Sequence, residues 1–327
     1  MSTKARVLTE LEQYRGQSIS GEDLAQRLGV SRAAIWKAIQ ELRSEGYEIQ
    51  SSPKVGYCLA SSSDLLSLEG IRLYLQQKAL SEGITVACEV DSTNGIAKRL
   101  AMEGAPHGTT VIADRQTAGR GRRGRKFDSP GGSGIYLSVI LRTGLSASDS
   151  VLITTGAAVA VARAVRQVTG KELSIKWVND LFFQEKKICG ILSEGIADLE
   201  SGGMEAVIVG IGINVRRDPE EFPEEIRDIA GALYGKKEVH VTRNQLAAAI
   251  IEQVLEVAKG LEERAFLKEY RQRSFLLGKE ILVLRQNGQE PALAMDIDDQ
   301  GGLIIQRQDG SRETLHSGEV SVRPNQA

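Results

Sequence analysis

The first sixty residues repeat apolar side chains at a spacing that few folds accommodate. Two runs recur at helical intervals, Leu24 and Leu28 in the first and Ile35, Ile39 and Leu42 in the second. Gly29 is placed to end the first helix, and Ser31 is placed to cap the second. With a further apolar set around Leu8, the spacing predicts a helix-turn-helix at about residues 21–40 that packs on a third helix.

The residues that follow predict a hairpin beside this motif. The alternating runs YEIQ and VGYCLA flank the turn SSPK, which puts Lys54 at the tip of a wing. The second helix exposes Arg32, Lys37 and Gln40 opposite its apolar stripe, and such side chains can contact phosphates and base edges. We predict a DNA-binding winged helix whose contacts are Ser31, Arg32, Lys37, Gln40 and Lys54. Eight basic and seven acidic residues among the first sixty also leave open a small helical bundle that binds protein, or binds nothing.

A cationic, glycine-rich segment interrupts the middle of the chain. TAGRGRRGRKFDSP, residues 117–130, places four arginines and a lysine within seven residues. The chain as a whole has 41 Lys+Arg against 43 Asp+Glu, so this positive charge is local. The glycines let backbone N–H groups approach an anion, and the arginines supply bidentate contacts. A nucleic acid, a phosphate-bearing ligand and a solvated loop are the three alternatives at this point.

The pattern around this arginine-rich segment mixes strands and helices. GTTVIAD, GIYLSVIL, LSIKWVND, KKICGILSEG and EAVIVGIGINV predict strands. LITTGAAVAVARAVRQVTG predicts a long helix that ends at Gly170, and its two arginines indicate a packed helix and not a membrane span. The segment matches G-x-G-x-x-G, but the KFDSPGGSG after it would break the helix that a dinucleotide site needs. Short alternating runs after residue 275 predict a small β-barrel.

Three other stretches place polar groups at the ends of predicted elements. DSTN, residues 91–94, precedes a helix, where Ser92 or Thr93 would serve as an N-cap, although a helix N-terminus is also an anion site. KWVND, residues 176–180, has the Asn-Asp signal of a turn. KKICGIL puts two lysines at the start of a strand, as solvated edge strands do. Each stretch has a purely structural explanation when it is taken alone.

Taken together, these stretches resemble a known family. DSTN, QTAGRGRRGRKFDSP, KWVND with KKICGIL, and GIGINV have the order and spacing found in the biotin protein ligases. The N-terminal winged helix makes the chain resemble the bifunctional members, which also repress biotin genes. The resemblance covers nearly the whole chain and implies an α+β multidomain protein. Its parts would be a winged helix-turn-helix, an α/β catalytic domain of the class II synthetase type and an SH3-like C-terminal barrel, at residues 1–63, 64–272 and 273–327.

The resemblance also implies a reaction and a site. Biotin would be activated by ATP to biotinyl-5′-AMP and transferred to a lysine of the biotin carboxyl carrier protein of acetyl-CoA carboxylase. Lys187 and Arg122 would be catalytic because they neutralise charge that develops at phosphorus. Biotin would be bound by Ser92, Thr93, Asn94, Gln116, Arg120, Gly121, Arg122 and Lys187. ATP or the adenylate would be bound by Arg122, Arg125, Phe127, Asn179, Asp180 and Asn214.

The chain departs from the family pattern at two positions in these motifs. Phe127 stands where the family usually has Trp, and Val178 stands where it usually has Pro. Phe can still pack over a ligand, but it lacks the indole N–H donor. The loop that closes over the ligand is therefore expected to be held differently.

The implied cofactor and partners complete the prediction. Mg²⁺ would accompany ATP, with no metal site of the protein's own; the partners would be operator DNA and a second copy in a ligand-promoted homodimer, with no membrane. The three cysteines are odd in number and widely spaced, which favours free thiols in a reducing cytoplasm. Two alternatives stay open: a ligand-sensing transcription factor without transferase activity, and a lipoate-type ligase with a DNA-binding module.

Overall fold

The computed structural model describes residues 1–52, 55–142, 149–197, 204–238, 241–285 and 288–322. Its helices are α1 (Thr3–Gln13), α2 (Gly21–Leu28), α3 (Arg32–Ser44), α4 (Leu68–Tyr74), α5 (Thr93–Met102), α6 (Ser150–Thr169), α7 (Arg243–Lys259) and α8 (Phe266–Arg273). Its strands are β1 (Ile49–Ser52), β2 (Gly56–Leu59), β3 (Ile84–Val90), β4 (Thr110–Gln116), β5 (Gly134–Leu141), β6 (Ser174–Lys176), β7 (Asp180–Phe183), β8 (Lys186–Ala197), β9 (Met204–Asn214), β10 (Glu280–Arg285), β11 (Gly288–Ile297), β12 (Leu303–Arg307), β13 (Arg312–Leu315) and β14 (Glu319–Val322).

The N-terminal helices and hairpin form the predicted winged helix. The α2 helix ends at Gly29, whose φ of 63° is the left-handed conformation that glycine adopts without strain. The α3 helix begins after Ser31, whose Oγ accepts a hydrogen bond from the Ala34 N–H at 3.2 Å. Strands β1 and β2 pair antiparallel, with Ile49 opposite Leu59, and make the wing. These predictions are confirmed, but Lys54 at the wing tip lies outside the described residues.

A seven-stranded sheet forms the centre of the molecule, in the order β3-β4-β5-β9-β8-β7-β6. The β3–β4 pair is parallel and the other pairs are antiparallel. Helices cover both faces of the sheet. Alternate residues of β9 accordingly belong to two different cores. Val207 and Val209 pack in the larger core, and Ala206 and Ile208 pack in the smaller core beside α5. Burial on both faces explains why these strands are nearly continuous apolar runs.

The predicted long helix is α6, which ends at Gly170 with a φ of 71°. By length and composition alone, α6 could cross a membrane. Its side chains from Leu152 to Ala162 are instead buried in the larger core. The prediction of a packed helix is therefore confirmed.

One predicted strand is wrong. LSIKWVND forms the hairpin of β6 and β7, with Lys176 opposite Asp180, and the three residues between these two make its turn. The Asn-Asp turn signal prevails because both polar side chains of the turn find partners. Asn179 Nδ2 donates to the Ile191 carbonyl at 3.0 Å, and Trp177 Nε1 donates to the Gly301 carbonyl at 2.9 Å.

The C-terminal strands form a small β domain where the sequence predicts a small β-barrel. They make a five-stranded antiparallel sheet in the order β13-β12-β11-β10-β14, with a bulge between Ala294 and Asp296. Ile281 and Ile305 of this sheet pack in the same core as α6. The C-terminal domain therefore shares one hydrophobic core with the central domain and is packed against it.

The linker from Leu59 to Asp64 is anchored by a buried ionic cluster. Asp64 accepts hydrogen bonds from the Arg243 backbone N–H at 2.7 Å and from Arg243 Nε at 3.1 Å, and it also pairs with Arg216. Arg243 is only 1% exposed, and its Nη1 donates further to the Gly134 carbonyl at 2.9 Å. The cluster holds the winged helix against the catalytic domain at a defined place.

We expect Asp64→Asn to lower the free energy of unfolding by about 1–2 kcal/mol, because two buried guanidinium groups lose a charged acceptor. Urea denaturation of the two proteins measures the difference. Glu22→Gln is the matched control, since the Glu22–Arg32 pair is exposed on both sides and should contribute little. Equal stabilities of Asp64→Asn and the unmodified chain would contradict this account of the linker.

Candidate functional site

A cavity of about 320 Å³ lies over the central sheet. Its walls come from the start of α5, the arginine-rich segment, the β6–β7 hairpin, β8, β9, the segment after β9 and the start of β14. All thirteen residues that the resemblance assigns to biotin or the adenylate line it: Ser92, Thr93, Asn94, Gln116, Arg120, Gly121, Arg122, Arg125, Phe127, Asn179, Asp180, Lys187 and Asn214. The fold thus brings distant segments together, while the role of each residue stays a prediction.

The inner end of the cavity is a buried polar network. The Thr93 backbone N–H and hydroxyl both donate to Gln116 Oε1, at 2.9 and 3.1 Å. The Ser138 hydroxyl lies 2.8 Å from Thr93 Oγ1 and 2.6 Å from Asn94 Oδ1. Asn94 Nδ2 donates to Glu194 at 2.6 Å. These bonds hold donors and acceptors in fixed directions, as the recognition of a small polar ring requires.

Ser92 confirms the prediction that DSTN caps a helix. Its backbone is extended and its Oγ lies 3.5 Å from the Gly95 N–H, so Ser92 is the N-cap of α5. The first turn of α5 also lines the cavity. The DSTN stretch therefore serves as a helix cap and as part of a pocket wall.

Glycines form the floor of the cavity. Gly190 of β8 pairs with Gly212 of β9, and Gly210 lies two residues before Gly212 on the same face. A Cβ atom at Gly210 would lie 2.0 Å from Asn94 Oδ1, and one at Gly212 would lie 2.6 Å from the Phe127 ring. GIGINV supported the family resemblance, but no role was predicted for its glycines; their spacing of two on a strand was the available signal.

We expect Gly210→Ala to weaken the binding of biotin by about tenfold, because overpacking a filled site costs about 1–3 kcal/mol. Calorimetric titration with biotin measures the effect. Gly83→Ala is the control, since a Cβ there would meet nothing closer than Thr109 Cα at 3.6 Å. Unchanged affinity in Gly210→Ala would remove this floor from the predicted biotin site.

The other end of the cavity is cationic. Arg122 Nη1 donates to Asn179 Oδ1 at 3.0 Å, and Lys187 Nζ lies 2.7 Å from Asp180 Oδ1. Burial lowers the pKa of Arg122, and the nearby Asp180 carboxylate partly opposes that shift. Burial likewise lowers the pKa of Lys176, which the sequence analysis did not assign although it begins KWVND. Partly desolvated cations interact more strongly with an anion than fully hydrated ones do.

Two more arginines of the arginine-rich segment are held by carboxylates. Arg125 makes a two-point ion pair with Glu319 at the start of β14, with both N–O distances 2.7 Å. Arg120 Nη1 lies 3.6 Å from Glu194 Oε1, in the polar network of the inner end. The segment is thereby connected to the C-terminal domain on one side and to the polar end of the cavity on the other.

Phe127 packs directly over the glycine floor. Its ring stands edge-on to Tyr136, with ring centroids 6.3 Å apart and the planes at 70°. Burial raises the pKa of Tyr136 to about 12, and its hydroxyl donates to the Pro130 carbonyl at 3.0 Å. The aromatic residue at position 127 therefore covers the floor without an indole donor.

The segment after β9 closes a third side of the cavity. Asn214 Nδ2 donates to the Gly231 carbonyl at 2.9 Å. Arg217 lies 2.6 Å from Asp128 of the arginine-rich segment, and its guanidinium stacks on Phe222 at 4.1 Å. Arg217 is 7% exposed and lines the cavity; the sequence analysis missed it because the run NVRRD has no local feature of a binding site.

The predicted DNA contacts lie on a separate face, in the winged helix. Ser31, Arg32 and Lys37 are exposed and Gln40 is half-buried. Arg32 Nη1 is 3.6 Å from Glu22 Oε2, an ion pair that is exposed on both sides. Trp36, which the sequence analysis did not select, is also exposed on α3.

Three family models match the chain. Residues 86–214 match the biotin/lipoate A/B protein ligase family. Residues 3–58 match an HTH domain, and residues 276–323 match the biotin protein ligase C-terminal domain. The matches fall on the winged helix, the central sheet and the C-terminal sheet.

Individual proteins are similar over longer stretches. The chain is 35% identical to the bifunctional ligase/repressor BirA of Bacillus spizizenii, with 98% of this chain and 99% of the relative covered. It is 30% identical to BirA of Escherichia coli strain K12, with 94% of each covered. Among solved structures, the biotin protein ligase from Aquifex aeolicus in complex with biotin and ATP is 32% identical, with a TM-score of 0.61 and coverage of 73% of this chain and 98% of that one.

Proposed function

We propose a function from the premise that this chain belongs to the family of bifunctional biotin protein ligase/repressors, as the 35% identity over nearly the full chain establishes. It activates biotin with ATP and transfers it to a protein lysine, and it carries a DNA-binding domain. The observation that carries the assignment of the site is that thirteen residues from distant segments line one cavity. Its polar end suits the ring of biotin, and its cationic end suits the carboxylate and phosphate.

The reaction has two steps. A carboxylate oxygen of biotin attacks the α-phosphorus of ATP, a new P–O bond forms, and pyrophosphate leaves with the electrons of the broken P–O bond. The amine nitrogen of the acceptor lysine then attacks the acyl carbon of biotinyl-5′-AMP. The bond to the AMP oxygen breaks, AMP leaves, and the amine gives its proton to solvent.

Charge explains why cations line one end of the cavity. Both partners of the first step are anions, so the main need is neutralisation of charge at phosphorus. We assign this role to Arg122 and Lys187, with Lys176 as a third cation beside them. Asn179, Asp180 and Asn214 would border the nucleotide, and Arg125 and Phe127 would lie along the adenylate. Thr93, Asn94 and Gln116 would meet the ring, with Ser92, Arg120 and Gly121 beside them.

Mg²⁺ fits this site as a companion of the nucleotide. In the part of the chain that the structure describes, no group of three or more His, Cys, Asp or Glu side chains is arranged to hold a metal ion. Mg²⁺ commonly binds through phosphates with only one or two carboxylates. We therefore assign it to the phosphates of ATP.

The acceptor, the DNA site and the assembly extend the proposal. The acceptor is a lysine of a biotin-dependent carboxylase, and we propose the biotin carboxyl carrier protein of acetyl-CoA carboxylase. The winged helix would bind operator DNA as a biotinyl-AMP-dependent repressor of biotin genes, through Ser31, Arg32, Lys37, Gln40 and Lys54. A cytoplasmic location agrees with three free cysteines. We keep the division at residues 1–63, 64–272 and 273–327 as part of the proposal.

Mass spectrometry tests the enzymatic function directly. Incubation with ATP, biotin and a biotin carboxyl carrier domain should add one biotinyl group to that domain. Reactions without ATP, or with lipoate in place of biotin, are the controls. Modification by lipoate alone would indicate the lipoate-type ligase, and no modification together with retained biotin binding would indicate a sensor without transferase activity.

We expect biotinyl-AMP to promote dimerisation and so to tighten operator binding. A single winged helix with a charge near zero should bind DNA weakly, whereas two linked heads gain effective concentration and can contact two half-sites. Linkage then requires operator DNA to tighten biotinyl-AMP binding by the same factor, about tenfold. The measurement is adenylate affinity with and without saturating operator, with a scrambled duplex as control. Identical affinities in all three titrations would show that the two functions are uncoupled.

A further inference from the structure

Trp36 is a large apolar side chain left in contact with water. It is 58% exposed, whereas the other tryptophan, Trp177, is 3% exposed and uses its indole N–H in a hydrogen bond. Burial of an aromatic side chain stabilises a folded chain. The fold gains none of this from most of the Trp36 surface, so a contact outside the chain is the natural use of that surface.

The position of Trp36 on α3 indicates which contact. The buried stripe of α3 is formed by Ile35, Ala38, Ile39 and Leu42. Arg32, Trp36 and Gln40 follow each other at intervals of four residues, so they form one ridge beside this buried stripe. Lys37 lies beside this ridge and is exposed. The indole is therefore the apolar centre of a surface with cations on two sides.

The α3 helix is the second helix of the helix-turn-helix, which in such motifs enters the major groove of DNA with its N-terminal residues at the base edges. Trp36 is the fifth residue of α3, within that portion. Arg32 and Lys37 complement the charge of the phosphates. The major groove also presents one apolar group, the 5-methyl of thymine, which apolar side chains contact.

We propose that Trp36 is a specificity-determining residue that packs against thymine methyl groups in the major groove of the operator. The indole has no acceptor and only one donor, so its main contribution is apolar contact. Arg32 and Lys37 would supply affinity that depends little on sequence, and Trp36 would supply discrimination. The inference rests on the DNA binding proposed above.

The test uses the full-length chain with biotin and ATP. Selection from a random duplex library first provides the preferred duplex. Each thymine of that duplex is then replaced by uracil, which removes only the 5-methyl group. The unmodified chain should lose roughly fourfold in affinity at one or two positions, the effect of one buried methyl group. Trp36→Ala should bind the preferred duplex at least tenfold more weakly and should show no uracil effect at those positions.

Lys37→Ala is the matched control because Lys37 neighbours Trp36 and is also exposed. This substitution should weaken binding to the preferred duplex and to random duplexes by similar factors. It should also reduce the salt dependence of DNA affinity, while the loss of affinity on replacing thymine by uracil is kept. Circular dichroism and thermal unfolding of each variant verify folding of the winged helix, and biotinylation activity should be unchanged, since neither residue lines the cavity. Emission from Trp36 should change on addition of the preferred duplex.

The outcomes separate the inference from the proposed function. If the unmodified chain selects a duplex and Trp36→Ala retains both its preference and its uracil effect, the inference is overturned and DNA binding stands. If the unmodified chain selects no duplex, the DNA-binding part of the proposed function fails and the inference fails with it. If Trp36 emission responds to self-association and not to DNA, this face is a protein interface and the inference is again overturned.

Discussion

Lys187→Ala should lower the rate of biotinyl-adenylate formation by about 10²–10³-fold, the usual effect of removing one group that stabilises charge in a transition state. Lys187 lies in the cavity with Asp180 at 2.7 Å, and its ammonium lies beside the glycine floor, with Nζ 3.6 Å from the position of a Cβ at Gly190. Biotin-dependent exchange of pyrophosphate into ATP measures this step alone. Biotin affinity should fall by less, because binding loses only the pairing of Lys187 with the carboxylate, whereas the charge at phosphorus develops only during the reaction.

Lys186→Ala is the control for this prediction. Lys186 precedes Lys187 on β8, but its side chain does not line the cavity, and its Nζ instead pairs with the Asp228 carbonyl. Its exchange rate should match that of the unmodified chain. Lys187→Arg, which keeps the positive charge but places it on a planar guanidinium group, should recover part of the exchange rate. Full exchange activity in a folded Lys187→Ala protein would remove Lys187 from the mechanism.

Arg122→Ala should release biotinyl-AMP about 10–100-fold faster. A hydrogen bond to a charged group contributes about 1.5–3 kcal/mol, and an arginine can make two such bonds to a phosphate. The hydrogen bond from Arg122 to Asn179 would also be lost, so Asn179 would be held less firmly beside the nucleotide. The released mixed anhydride should then biotinylate lysines of an added bystander protein, which mass spectrometry counts.

Arg115→Ala is the matched arginine control, since Arg115 forms an exposed ion pair with Glu89 and does not line the cavity. It should retain the adenylate as the unmodified chain does. Arg122→Lys should be intermediate, because it keeps one charge without the planar fork. If Arg122→Ala retains the adenylate and spares the bystander protein, Arg122 is not a clamp on the ligand.

Local chemistry determined the parts of this protein that sequence reasoning predicted. The winged helix depends on spacings of three or four residues and on caps at Gly29 and Ser31, and such interactions lie within one or two turns of a helix. The strands of the central sheet are predictable because two-sided burial demands unbroken apolar runs. The order of the arginine-rich segment, KWVND and KKICGIL is a property of the chain itself, so it carried the family resemblance without a structure.

Only the tertiary structure decided how these pieces meet. The KWVND hairpin depends on carbonyls of Ile191 and Gly301, which lie 12 and 124 residues away along the chain. The Asp64–Arg243 and Arg125–Glu319 pairs likewise join residues 179 and 194 positions apart. Periodicity describes which face of an element is apolar, but it contains no information about which distant side chain will meet that face. The cavity, its glycine floor and the exposed indole of Trp36 follow from the path of the whole chain, because burial and ion pairing depend on distances that folding alone sets.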